Sequence, residues 1–200
     1  KAFVAGADIR YFIDNIKKDR IDDTVVFTRG GHELLLRIEN STKRTIAVLD
    51  GLSLGGGSEL ALACQAIVAT SAGSMGFPET AIGIFPGLGG MLRTARQIGT
   101  ELAKYYVFTG RTITAQDAYD LGIVVKVVNP QDLEKTIVEI CNGPMPDKYR
   151  SRKLPERFAE LAKVCSPDNV KALLAGSKPE GVSDDLAEKT QKIISRKAPL

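Results

Sequence analysis

Gly55, Gly56 and Gly57 stand together in the stretch LGGGSEL, directly before Ser58 and Glu59. Glycine loses the most backbone freedom on folding, so three in a row need a reason. Apolar patterning predicts a strand leading into the glycines and a helix leading out of them. The first N–H groups of a helix lack intrahelical partners and carry the positive end of its dipole. With no Cβ in the way, a ligand carbonyl can approach them closely. Such donors stabilise an oxygen that gains negative charge during reaction, one donor being worth ~3–4 kcal/mol in other enzymes. Glu59 follows Gly56 by about one helical turn, which brings its carboxylate to the side of the Gly56 N–H. An oxyanion donor and an acid–base group would then face one reacting carbonyl. The plainer alternative is a tight turn with close helix packing, in which Glu59 is an ordinary first-turn acid.

Two other chemistries compete for the same stretch. A nucleotide loop of the form G-x-G-x-x-G fails, because Leu60 stands where the third glycine belongs, and no G-K-[ST] is present. The segment GLSLG, residues 51–55, does fit the nucleophile pattern G-x-S-x-G around Ser53. That fold needs a histidine after the serine, whereas His32, the single histidine, precedes it. The bland reading of Ser53 is a small polar residue near a strand end.

These residues must be held by elements that the sequence also outlines. Residues 1–5 read as a strand, 8–17 as a helix, and 25–38 as a resumed helical pattern. The β-branched RTIAVL, residues 44–49, predicts a buried strand. A helix is expected over about 58–65, a strand at AIVATS, and a loop-rich stretch with brief extended pieces to about residue 89. Helices follow over 89–98 and 101–108, with Gly99 suited to a C-cap. Thr114 can cap the next helix, with Asp117 at the third position. IVVKVV predicts a strand, and Asn129-Pro130 a further helix start. Strands alternate with helices to about Cys141, an α/β pattern. The division expected is a core over 1–142 and a helical extension over 143–200, the latter opening on the proline-rich GPMPDKYRSRKLPERF.

Composition excludes several classes. Two hundred residues suffice for one domain with a real core. A net charge of +3 and few aromatics argue against nucleic acid, although mild basicity suits a phosphorylated small ligand. Cys64, Cys141 and Cys165 lack metal or redox spacing and read as reduced thiols in a cytoplasmic compartment. One histidine gives a zinc site little to work with, so no metal is expected. No apolar run reaches the ~18 residues of a membrane span, and the opening residues do not read as a signal peptide. Starting without Met inside a strand, and stopping just after a helix, the sequence is expected to be a piece of a longer protein.

Four segments carry a resemblance: KAFVAGADIR, TIAVLDGLSLGGGSELALAC, GFPETAIGIFPGLGGMLR and FTGRTITAQDAYDLGIVVKVV. In order and spacing, from residue 1 to about 128, they resemble the crotonase, or enoyl-CoA hydratase, superfamily. The resemblance implies an α/β fold, a crotonase-like (ClpP/crotonase) spiral of ββα units that binds acyl-CoA thioesters. It implies an oxyanion hole from the N–H groups of Ala7 and Gly56, and catalytic carboxylates at Glu59 and Glu79. By itself, Glu79 after Pro78 reads as a solvated loop acid. Substrate contacts are expected at Gly6, Asp8, Arg10, Leu54, Gly55, Phe77, Ile82 and Gly87, with Arg10 toward CoA phosphates and Gly87 at the start of the next helix. Leu54, Phe77 and Ile82 would line the acyl pocket, though core packing is the commoner fate of such residues. Keeping both glutamates implies water addition to a 2-enoyl-CoA. An isomerase or thioester hydrolase of the same superfamily is the alternative, and a non-catalytic CoA-binding or assembly module a third. No cofactor is implied beyond coenzyme A as part of the substrate. A homo-oligomer, a trimer or a dimer of trimers, is implied, and fusion in a longer parent to a 3-hydroxyacyl-CoA dehydrogenase is compatible with it. The family's usual N-terminal stretch is missing, residues 143–188 match poorly, and KTQKIISRKAPL again resembles a later family helix.

Overall fold

Short strands in pairs, each pair followed by a helix, organise the computed structural model, which describes residues 2–148 and 153–197. Lys1, assigned above to the first strand, and residues 198–200 of the closing segment lie outside the described residues. β1 (Ala2–Val4) leads to α1 (Ile9–Lys17) and α2 (Ile21–Glu39). The first ββα unit is β2 (Ile46–Leu49), β3 (Leu52–Leu54) and α3 (Gly56–Ala63). The second is β4 (Ala66–Ala69), β5 (Ser74–Gly76), a 3₁₀ turn at Glu79–Ile82, and α4 (Gly90–Ile98). After them come α5 (Thr100–Thr109), β6 (Ile113–Thr114), α6 (Ala115–Asp120), β7 (Lys126–Val127) and α7 (Leu133–Asn142). The C-terminal segment holds α8 (Ala159–Lys163), α9 (Pro167–Leu174) and α10 (Asp184–Ile194).

The two strands of a unit belong to different sheets. β2, β4 and β7 form a three-stranded parallel sheet, while β1, β3, β5 and β6 form a four-stranded one in that order. Within the second sheet only the β5–β6 pair is antiparallel. Each unit therefore turns a corner between strands and stacks on the previous unit, which is how a ββα repeat becomes a spiral. The corners are themselves stacked. The Thr70 hydroxyl donates to Asp50 at 2.7 Å and the Thr70 N–H to the Leu49 carbonyl at 3.0 Å. Gly73 fits this corner because a Cβ there would lie 2.4 Å from the Leu49 carbonyl oxygen.

Leu49, Leu62, Ile67, Met75, Phe77, Leu102, Tyr105 and Ile113 form the centre of one buried cluster. Phe158, Val164 and Cys165, beyond residue 142, are buried in the same cluster, where α8 packs on α5. Helix ends follow local chemistry. Asp8 caps α1 by accepting from the Arg10 N–H, and Thr114 caps α6 by accepting from the Asp117 N–H, as its sequence predicts.

Two expectations change. GLSLG contains a strand of its own, β3, so Ser53 is mid-strand with Val4 and Met75 as its register partners. It is fully buried and sits on no exposed strand-to-helix elbow, which removes the nucleophile reading. IVVKVV shrinks to a two-residue strand at Lys126–Val127, because Ile123 and Val124 are spent on the core instead.

Candidate active site

Each glycine of the triplet has a separate task. A Cβ on Gly57 would lie 2.1 Å from the Val4 carbonyl oxygen, so α3 can press against β1 only with glycine there. Gly55 has φ +52°, and a Cβ on it would meet Glu79 Oε1 at 2.8 Å. Gly56 is the first residue of α3 and is less crowded: a Cβ there would have Gly6 Cα at 3.9 Å, Leu88 Cδ1 at 3.9 Å and the Ala7 nitrogen at 4.0 Å. The fold thus brings Ala7 and Gly56 side by side. The first i-to-i−4 bond of the helix runs from the Glu59 N–H to the Gly55 carbonyl at 3.0 Å, leaving the preceding amides without intrahelical acceptors. Gly6 turns the chain toward them at φ +90°, in a conformation that favours glycine.

Ser58 ties this end of the helix down. Its hydroxyl lies 2.9 Å from the Ser53 carbonyl, 3.0 Å from the Gly76 carbonyl and 3.1 Å from the Gly76 nitrogen, spanning α3, β3 and β5. At the opposite end of α3, the Lys148 ammonium donates to the carbonyls of Leu62 and Cys64. A cation there complements the helix dipole. Burial pushes the Lys148 amine down to about 8.

Glu59 projects inward and is 2% exposed. Its Oε1 accepts from the Leu88 N–H at 2.7 Å and from the Gly90 N–H at 2.8 Å. A Cβ on Gly90 would lie 2.7 Å from Glu59 Cγ and 2.8 Å from the Phe77 ring, so the start of α4 closes directly on the carboxylate. Burial raises the Glu59 pKa above the usual carboxylate range, and the Gly90 and Leu88 amides, Arg93 and His32 oppose that rise. Glu79 opens the 3₁₀ turn, with its Oε1 beside Gly55. Its Oε2 is buried and without a hydrogen-bond partner among the described residues. Burial is the largest influence on it. Its own backbone N–H opposes that effect and the Glu59 charge adds to it, leaving Glu79 pushed up to about 7. Two carboxyl groups in one low-dielectric region, unequally solvated by donors, suit one base and one acid.

The remaining expected residues are spread around this centre. Leu54 is half-buried at the end of β3, and Phe77 is fully buried in the core against Gly90. Ile82 is half-exposed at the end of the 3₁₀ turn. Arg10 is exposed and forks onto Asp8, at 3.1 and 3.2 Å. Gly87 is not the start of the next helix. α4 begins at Gly90 with Gly89 as its N-cap, so the amides that face the site are those of Leu88 and Gly90. The run of glycines in PGLGG was the signal for those donors, but which amides face inward depends on the left-handed turn at Gly89, φ +91°. Among the described residues no three His, Cys, Asp or Glu side chains gather as metal ligands.

Parallel ββα turns with one buried and one half-buried glutamate beside a helix N-terminus define a crotonase-type spiral. The chain belongs to the enoyl-CoA hydratase/isomerase family, whose model matches residues 1–160. It is 36% identical over 172 residues to the short-chain-enoyl-CoA hydratase of Clostridium acetobutylicum, an alignment covering 86% of this chain and 64% of that protein. It is 39% identical over 141 residues to the crotonyl-CoA hydratase of Syntrophomonas wolfei, covering 70% of this chain and 53% of that one. An enoyl-CoA hydratase structure from Rhodobacter sphaeroides superposes with a TM-score of 0.78 over 99% of this chain and 58% of that one, at 22% identity, a likeness in fold. The chain thus spans between 53% and 64% of the length of these two curated relatives.

Proposed function

We propose that this chain carries the catalytic groups of an enoyl-CoA hydratase, which adds water across the C2=C3 bond of a 2-enoyl-CoA to give a 3-hydroxyacyl-CoA. The observation behind this reading is the pair of glutamates, the buried Glu59 held by two amides and the half-buried Glu79 held by none outside its own residue, beside the neighbouring Ala7 and Gly56. The N–H groups of Ala7 and Gly56 receive the thioester oxygen as the enolate forms. Glu59, fixed by its amides and opposed in its pKa rise by four groups, takes a proton from water as its oxygen bonds to C3. Glu79, pushed up to about 7 and therefore protonated in about half of the molecules at neutral pH, delivers a proton to C2. Dehydration runs the same steps backward. Water addition by these groups calls for no cofactor, and coenzyme A enters as part of the substrate.

Substrate contacts by Gly6, Asp8, Arg10, Leu54, Gly55, Phe77, Ile82 and Gly87 belong to the same proposal. So does self-association, supported by Ile16, Val26 and Leu34, which stand on α1 and α2 at 63%, 67% and 54% exposure. The cytoplasmic reading is supported by Cys64, Cys141 and Cys165, which are all free thiols. Among the described residues no helix is long and apolar enough to cross a membrane. Fusion to a 3-hydroxyacyl-CoA dehydrogenase is supported by the likeness to the fatty acid oxidation complex subunit alpha of Psychrobacter cryohalolentis, 31% identical over 180 residues that make up 25% of that longer protein.

The test is product analysis with crotonyl-CoA. Formation of 3-hydroxybutyryl-CoA that is abolished by Glu59→Gln supports hydration. Release of free CoA supports a hydrolase, a shifted double bond an isomerase, and binding without turnover a non-catalytic module.

A further inference from the structure

Residues 88 and 89 lie outside α4, so the amides gripping Glu59 depend on whatever fixes the turn that carries them. Arg93, one helical turn into α4, is 5% exposed and reaches back to that turn. Its Nη1 donates to the Leu88 carbonyl at 2.8 Å. Its Nε and Nη2 donate to Glu39 Oε2 at 3.0 and 2.8 Å. Along the backbone, the carbonyl held by Arg93 lies between the two amides held by Glu59. Gly89 clears the way, because a Cβ there would lie 2.7 Å from Arg93 Nη1. α2 supports the turn at two points. Glu39, its last residue, holds Arg93, and Gly31 receives the Leu88 side chain, where a Cβ would lie 2.7 Å from Leu88 Cδ2.

We propose that Arg93, braced by Glu39, is a positioning residue: it fixes the turn at residues 88–90 so that the Leu88 and Gly90 amides stay aimed at Glu59. A lysine could not do the same work. The guanidinium spans a carbonyl and a carboxylate with a rigid fork, whereas an ammonium is a point donor. The role rests on the reading of Glu59 as the base, and it ties that base to α2 through the Arg93 and Glu39 side chains. The charged and titratable groups facing Glu59 are Arg93 from α4, His32 from α2 and Glu79 from the 3₁₀ turn. Loss of Arg93 removes a nearby cation and loosens both amides, and both changes raise the Glu59 midpoint.

The experiment is an NMR titration of ¹³C-labelled glutamate in the protein, with Glu59 assigned from Glu59→Gln and circular dichroism as the check on folding. Arg93→Gln is expected to raise the Glu59 midpoint by about one pH unit. Arg93→Lys keeps the charge but not the fork and is expected to raise it by less. In parallel, kcat for crotonyl-CoA hydration falls ~10²-fold in Arg93→Gln with little change in KM, as for a misplaced catalytic group. The acid limb of the pH–rate profile moves up with the NMR midpoint. An unchanged Glu59 titration in folded Arg93→Gln overturns the proposal. If that variant does not fold, an unchanged titration in Arg93→Lys overturns it. A wild-type protein that does not hydrate crotonyl-CoA defeats the functional reading instead, while the titration still decides on Arg93.

Discussion

Glu59 and Glu79 have the same side chain and opposite surroundings. Glu59 is reached by two amides at 2.7 and 2.8 Å, with the charges of Arg93 and His32 favouring its ionised form. Glu79 has Gly55 beside its Oε1, where a Cβ would lie 2.8 Å away, and one oxygen that finds no donor among the described residues. Both lie against glycine: Gly90 presses on the first and Gly55 on the second. The difference lies in what the glycine brings with it. Gly90 comes as the start of a helix, with N–H groups pointing at the carboxylate. Gly55 comes as the residue before a helix, at φ +52°, and offers only room. An ionised group needs donors and a neutral acid needs room, so on the proposed reading backbone geometry separates the two roles that side-chain identity leaves equal.

The largest test of that separation is to neutralise each carboxyl in turn. Glu59→Gln and Glu79→Gln are each expected to lower kcat for hydration by ~10²–10⁴-fold with the fold intact, read by steady-state kinetics and circular dichroism. Near-normal turnover in either variant removes that residue from the chemistry. The glycines give a second contrast. Gly57→Ala puts a methyl group 2.1 Å from the Val4 carbonyl and is expected to destabilise the protein by ~3 kcal/mol or more in urea denaturation. Gly56→Ala meets nothing nearer than 3.9 Å and is expected to fold normally, yet to lose activity because the new methyl stands beside the Ala7 nitrogen. Equal folding losses in the two variants would merge the packing glycine with the functional one.

Protonation gives a third, smaller test. Glu79 is pushed up from 4.5 to about 7, so between those values the folded protein binds a proton that the unfolded chain has released. Stability is therefore fully present below about 4.5 as far as this group is concerned, and it is lost as pH rises through about 7. The shift corresponds to at most about 3 kcal/mol. Glu79→Gln is expected to flatten this part of the stability–pH curve and to be more stable than wild type at pH ~8, measured by denaturant midpoints across the range. A slope unchanged by the substitution would mean that Glu79 titrates normally and that the contrast with Glu59 is only one of contacts.

What the sequence made legible follows from distance along the chain. The neighbourhood of Gly56 and Glu59 could be read directly, because one helical turn links them. Gly57 and Gly55 looked equivalent in sequence. Their different tasks depend on Val4 and Glu79, which reach them only through the stacking of β1, β3 and β5. Glu79 had no local signal at all, and only the resemblance set it apart from a loop acid. The donors to Glu59 come from Leu88 and Gly90, 29 and 31 residues on, while the resemblance singled out Gly87, three residues before the helix begins. β3 escaped because three residues are too few for an alternation to register, and its central Ser53 is polar yet fully buried. The elements long enough to carry a period, α1, α2, α4 and α5, were legible, with ends within a few residues.

The smallest expected effect separates the glutamate pair from the exposed one at Asp8 and Arg10. Those side chains are 57% and 88% exposed, and the guanidinium is already forked onto its own neighbour. To meet a CoA phosphate, Arg10 must share or leave Asp8, and solvent and salt screen whatever it gains. Arg10→Ala is therefore expected to raise KM for crotonyl-CoA by only ~2–5-fold at low salt, with kcat unchanged. The effect should fade as ionic strength rises and vanish with crotonyl-pantetheine, which lacks the nucleotide phosphates. A fall in kcat, or an equal effect on the pantetheine substrate, would move Arg10 to the reacting end of the thioester. The chemistry would then no longer be confined to carboxylates sealed between glycines, and the contrast between Glu59 and Glu79 would have to be redrawn with a third charged group in it.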